Sequence, residues 1–182
     1  MQEIWDIYDN HRKPTGETIM RGEPLGKDQF HLVVHVCVFN TRGEMLIQLR
    51  QTNKKYWKGK WDFSSGGAAI SGEDSQTAAA REFYEELGLK IDLSNARPAI
   101  TINFEEAIAA GFDDYYIIVK DIDIADIKPN PKEIQSLMWV SKEKIIQMIH
   151  EGEFIGFHDS FIDILFLLRN KKSMHIEDDG KR

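Results

Sequence analysis

One uninterrupted stretch, Gly67 to Leu89, constrains this chain more than any other: it reads Gly-x5-Glu-x7-Arg-Glu-Phe-Tyr-Glu-Glu-Leu-Gly-Leu. From Glu73 to Leu87 its composition favours a helix, with Ala78, Ala79 and Ala80 in the middle and Gly88 placed to stop it. The spacing predicts loop, helix, stop. At 3.6 residues per turn, Glu82, Glu85 and Glu86 (i, i+3, i+4) project from one face, expected to meet solvent or a ligand. Ala80, Phe83, Tyr84 and Leu87 fall on the other, expected to meet a core. Like charges at that spacing cost about 0.2 to 0.5 kcal/mol per pair in an isolated helix. A hard divalent cation would turn that repulsion into coordination.

A Glu-rich helix face on its own is usually a solvated surface. Here the flanking letters carry more: Gly67 lets the backbone approach a metal or phosphate, and Arg81 can pair with carboxylates and hold their rotamers. All seven fixed letters of the Nudix box are present as Gly67, Glu73, Arg81, Glu82, Glu85, Glu86 and Gly88, and Phe83 and Leu89 fill its apolar positions. The chain therefore resembles the Nudix hydrolases. The resemblance implies a Nudix fold, a mixed sheet sandwiched between helices, over roughly Gln29 to Glu151, and one or more Mg²⁺ or Mn²⁺ ions that bind a diphosphate and activate water. Carried over, Glu82, Glu85 and Glu86 would be metal ligands, Gly67 would offer its carbonyl, and Arg81 would orient the carboxylates, making Arg81, Glu82, Glu85 and Glu86 the catalytic set. Glu73 keeps three readings: ligand, positioner of Arg81, or an acid favoured by the helix dipole.

Outside the box, Leu32 to Phe39, the turn residues Asn40-Thr41-Arg42-Gly43 and Met45 to Arg50 read as a β-hairpin. Further strands are expected at Ala99–Phe104, Tyr115–Lys120 and near Met138–Val140, and helices at Lys142–Glu151 and Asp159–Leu168. Mixed strands flanked by helices give an α/β class. The 182 residues suit one domain, read as an N-terminal extension over 1–28 with a short strand and turns between His11 and Gly22, the main domain over 29–170 and a polar tail over 171–182. The formal charge of −7 disfavours broad nucleic-acid binding, and no segment has the length and apolarity of a membrane span. Cys37 stands alone, so no intrachain disulfide forms; it reads as a small buried thiol in a cytoplasmic protein. A homodimer fits the family resemblance.

Arg50, at a strand end, is read either as a phosphate fork or as a solvated terminus. The run from Lys54 to Trp61 interleaves cations with aromatics. Lys58 is the cation chosen there for substrate, while its tryptophans could stack a base or close a core. His31 and His35 read as strand residues satisfied by local hydrogen bonds. Glu105, Glu106 and Glu133 are expected in loops, Glu133 being the preferred auxiliary acid.

His31 and Trp57-x3-Trp61 also resemble the Nudix branch that includes isopentenyl-diphosphate isomerase. That enzyme has a cysteine and a metal histidine where this chain has Gly66 and Ala68, so the resemblance stops short of its proton-transfer site. The approach to the box, Ser64-Ser65-Gly66-Gly67, lacks the marker for coenzyme A, and Ala99 to Ala110 lacks the proline or tyrosine expected for ADP-ribose or diadenosine polyphosphates. The expected function is metal-dependent hydrolysis of a diphosphate bond in a nucleoside diphosphate derivative or related organic diphosphate. The alternatives are an isomerase-like enzyme and a binding module without turnover.

Overall fold

The molecule is organised on β3 (His31–Phe39), whose Val-rich run is covered on both sides. Leu32, Val34, Val36 and Val38 enter one buried cluster, and Cys37 and Phe39 enter the other. A strand buried on both faces suits parallel pairing, and β3 runs parallel to β8 (Ala110–Val119), with His31 opposite Gly111 and Phe39 opposite Val119. The computed structural model describes residues 3–105 and 109–170. Glu106 and the polar tail therefore lie outside the described residues.

The hairpin expected from sequence opens at once. Phe39 pairs with Met45, the first residue of β4 (Met45–Arg50), and the two strands then part. Into the gap comes β6 (Ser65–Ala68), antiparallel to Val33–Val36 of β3, while β4 pairs with β9 (Ile134–Val140) and with the short β5 (Trp61–Asp62). β7 (Ile100–Glu105) lies antiparallel to the outer side of β8. Two further expectations are corrected here. Gly67 sits in a strand rather than a loop, and Glu105 ends β7 rather than following it.

Helix α1 (Ser75–Leu87) covers the face of the sheet lined by Val34 and Val36. Asp74 caps it by accepting from Thr77 N–H, and Gly88 closes it at φ +69° with a bond from its N–H to the Tyr84 carbonyl. The opposite face is covered by α2 (Lys142–His150) and α3 (Asp159–Leu168) through Ile145, Met148, Ile162 and Leu165. The sheet is thus held between helices in an α/β sandwich. Among the described residues, no helix is long and apolar enough to cross a membrane.

The first residues form a hairpin of their own, β1 (Ile4–Tyr8) and β2 (Pro14–Met20). Sequence suggests only a short strand here, because its polar, turn-rich composition hides the pairing. Arg12, in the left-handed region at φ +60°, reaches from the turn to Asp114 of β8. Asp114 is wholly buried and also accepts from the Ser75 and Thr101 hydroxyls, so this one carboxylate joins the hairpin, α1 and β7 to the central sheet.

Candidate active site

The three box glutamates divide by depth instead of sharing one open face. Glu85 is exposed, Glu82 half-buried, and Glu86 only 6% exposed, while Tyr84, expected in the core, is 51% exposed beneath Lys90. The buried stripe of α1 runs through Ala79, Phe83, Glu86 and Leu87, and successive residues turn by about 100°. That turn carries Glu86 inward and Tyr84 outward.

Arg81 organises the acids. Its Nε and Nη2 bond both oxygens of Glu73, its Nη1 bonds Glu82 at 2.7 Å and Glu85 at 3.1 Å, and Nη2 also reaches the Ala68 carbonyl at 3.0 Å. Burial opposes its charge, yet the bonds to Glu73 and the charge of Glu82 push the guanidinium pKa above its ordinary range. Glu73 precedes the helix cap and accepts from Ile70 N–H as well, which favours its reading as the positioner of Arg81.

The two glycines of β6 make room for the other acids. A Cβ on Gly67 would lie 2.3 Å from Glu82 Oε1, so no side chain larger than hydrogen fits there without moving that carboxylate. Gly66 donates its N–H to Glu86 Oε2 at 3.1 Å, and Gln48 Nε2 donates to the same oxygen at 3.0 Å. Burial and the neighbouring Glu82 charge still push the Glu86 pKa up to about 7. Burial likewise raises Glu82, with Glu85 and Glu3 adding to the effect against Arg81. Among the described residues, no three acid, histidine or cysteine side chains converge into a closed metal site. The acids are instead parked on Arg81, Gln48 and backbone N–H groups.

One cation, Lys54, stands within electrostatic reach of this cluster. Lys54 pairs with Glu133, and burial lowers the Lys54 pKa, reinforced by Arg50, while Glu86 and Glu82 oppose the shift. Lys58 is exposed on the same loop. Sequence singles out Lys58 because the run offers several cations and nothing in it shows which one turns inward. Arg50 is not a solvated strand end: it bonds Asp62 at 3.0 Å, and its Nε is buried with no hydrogen-bond partner among the described residues. Trp61 packs on the core, whereas Trp57 is 58% exposed.

The histidines are held by rings more than by hydrogen bonds. His31 stacks on Trp5 at 4.4 Å, with its Nδ1 buried and without a hydrogen-bond partner among the described residues, and His35 stacks on Tyr115 at 4.6 Å. Burial, helped by Arg21 for His31 and by Arg50 for His35, lowers each pKa to about 4, so both rings are neutral at pH 7. Cys37 is completely buried, which pushes its thiol pKa well up.

The NUDIX domain family model matches residues 29–163. The chain belongs to the Nudix family. A Nudix hydrolase of Listeria innocua is 44% identical over 173 residues, covering 95% of this chain and 99% of that protein. An isopentenyl-diphosphate Delta-isomerase of Corynebacterium diphtheriae is 27% identical over 84% of this chain and 86% of its own length. The crystal structure of DR0079 from Deinococcus radiodurans superposes with a TM-score of 0.68 at 25% identity, covering 92% of this chain and 98% of that one. The protein is an enzyme of the Nudix pyrophosphohydrolase type, and its architecture is the Nudix fold.

Proposed function

We propose that this Nudix enzyme is a metal-dependent hydrolase that cleaves the diphosphate bond of a nucleoside diphosphate derivative or related organic diphosphate. One observation carries the reading: the Glu82 carboxylate packs against Gly67 closer than any side chain at 67 would allow, with Glu86 beside it on the N–H of Gly66. Two partly desolvated carboxylates with raised pKa values, next to the paired glycines Gly66 and Gly67 of β6, fit a hard divalent cation such as Mg²⁺ or Mn²⁺. Such ions characteristically take one or two carboxylates and fill their remaining positions with water and substrate phosphate.

Glu82 and Glu86 are the inner ligands in this reading, the Gly67 carbonyl is a third, and exposed Glu85 can join them by releasing Arg81. Bound there, a divalent cation would polarise phosphoryl oxygens and lower the pKa of coordinated water. Arg81 fixes the rotamers of the acids through Glu73, Glu82 and Glu85. Lys54 and Arg50 meet the negative charge of the substrate in this reading, with Glu133 holding Lys54 in place. The isomerase reading has no comparable support, since Gly66 and Ala68 carry no titratable group and Cys37 is sealed in the core. We assign the reaction to the cytoplasm.

The test is a panel of diphosphates with Mg²⁺ in oxygen-18 water. We expect label in the phosphate or nucleotide product, loss of turnover in excess EDTA, and recovery with Mg²⁺ or Mn²⁺. Turnover undiminished by chelation, or deuterium entering the carbon skeleton of isopentenyl diphosphate in deuterated water, would overturn the assignment.

A further inference from the structure

Gln48 interrupts the apolar run of β4, and it is only 1% exposed. Leu46, two residues before it, belongs to the cluster covered by α1, so the alternation of the strand turns Gln48 to that same face. Ser64 bridges the parted strands just ahead of β6, accepting from Val38 N–H of β3 and donating to the Leu46 carbonyl of β4. An amide buried in such a place has to find acceptors for its donors. Gln48 Nε2 donates to Glu86 Oε2 at 3.0 Å, and the Gly66 N–H donates to the same oxygen at 3.1 Å. Both bonds converge on Oε2, which leaves Oε1 for a cation.

Arg81 directs its own bonds to Glu73, Glu82, Glu85 and the Ala68 carbonyl. The Ser65 hydroxyl is near enough to favour the charged form of Glu86, yet it makes no bond of regular geometry among the described residues. Glu82 and Glu85 therefore have a guanidinium to fix them, while Glu86, the deepest of the three box acids, has the Gln48 amide.

Resting on the function proposed above, we infer that Gln48 is a positioning residue of the metal site, whose amide holds Glu86 by Oε2 and presents Oε1 to the divalent cation. The chemistry selects an amide at this position. An ionised carboxylate only accepts, so its neighbour has to donate. A lysine or arginine would donate too, but its charge would compete with the cation for the acid. An apolar side chain of the same length would leave the buried carboxylate on a single backbone N–H. A neutral donor fixes the rotamer and leaves the full negative charge to the cation. Outer hydrogen bonds to metal ligands typically carry about 10- to 100-fold in metal affinity.

The test counts free Mn²⁺ by electron paramagnetic resonance in titrations of the full chain, with no substrate present. Gln48→Met, which keeps the length and loses the donor, should weaken Mn²⁺ binding by about 10- to 100-fold. Gln48→Asn keeps an amide but draws it back by one carbon. It should weaken binding in the same direction, and it is the variant to read should Gln48→Met fail to melt cooperatively. In the Glu86→Gln background, Gln48→Met should cost nothing further, because the acid it positions is gone. In turnover, both single variants should raise the Mn²⁺ concentration needed for half-maximal rate, while kcat at saturating Mn²⁺ stays within severalfold. General damage to the core would not give that split. Parental Mn²⁺ affinity in a folded variant, equal losses with and without Glu86, or a fall in kcat at unchanged Mn²⁺ demand overturns the role of Gln48 and leaves the metal-dependent reaction standing. Turnover that persists in EDTA from a parent that binds no Mn²⁺ overturns the reaction itself, and the role of Gln48 with it.

Discussion

Glu86 shows how a single side chain can serve the site against the stability of the fold. It lies almost wholly inside the molecule, close to a second acid, and its pKa of about 7 records the free energy of holding it charged there. A tenfold change in proton affinity corresponds to about 1.4 kcal/mol, so removing the charge can relieve roughly 3 kcal/mol in the metal-free protein. Glu86→Gln keeps the shape and can keep one acceptor for the Gly66 N–H and Gln48. The variant should melt higher than the parent at pH 8 in EDTA while losing roughly 10²-fold or more in kcat, the scale of one major electrostatic contributor. A melting point at or below that of the parent would show that the buried charge does not burden the fold. Sequence places Glu86 correctly in the box but puts it on the open face. The i, i+3, i+4 spacing spans too wide an arc of the helix for all three acids to share one exposure, and only the position of β6 decides which turns inward. The inward-facing Lys54 is illegible for the same reason, since loop composition names the cations without ranking them.

At the scale of elements, those defined by their own residues are legible in sequence, and those defined by their partners are not. Met45–Arg50 and Asp159–Leu168 have the boundaries their sequences suggest, since the first is an apolar run set off by the Asn40–Gly43 turn and the second repeats Phe161, Leu165 and Leu168 at helical spacing. β8 begins at Ala110, well before the expected Tyr115, because parallel pairing with β3 overrides the weak strand preference of Gly111, Asp113 and Asp114. β1 and β2 are held to the sheet by Arg12 on Asp114, a link between residues far apart in sequence that no local pattern reveals. Removing one member of such a pair leaves a buried charge, which typically costs about 3 to 5 kcal/mol. Arg12 is partly exposed, so the lower end applies. Arg12→Ala should therefore lose on the order of 3 kcal/mol in urea denaturation, and Arg12→Lys should recover only part, because a single ammonium cannot make the forked contact. Wild-type stability in Arg12→Ala would mean that Ser75 and Thr101 suffice to hold Asp114.

For the whole molecule, the sandwich that positions the box also holds two imidazoles neutral, His31 buried and His35 mostly so, and this sets how the fold responds to acid. His31 has a folded pKa of about 4 against an ordinary value of 6.5, chiefly from burial and secondarily from Arg21. The unfolded chain takes up the proton first as pH falls. The stabilisation is therefore complete above pH 6.5 and is lost as pH drops toward 4. Its size is on the order of 3 kcal/mol for one group, and His35 shifts in the same direction to about the same value. Glu86 works the other way in this window, since a raised carboxylate pKa favours the folded state as pH falls from about 7 toward 4.5, so the parent's own profile mixes opposed slopes. A difference experiment separates them. His31→Phe keeps a ring to stack on Trp5 and removes the titration, leaving His35 and Glu86 in place. Denaturation of parent and variant in EDTA between about pH 7.5 and 4.5, a span that covers the unfolded histidine pKa, should show the parent losing more stability than the variant as pH falls. Parallel curves would mean that His31 gains its proton as easily in the folded protein as in the unfolded chain, and that the Trp5 stack does not seal it.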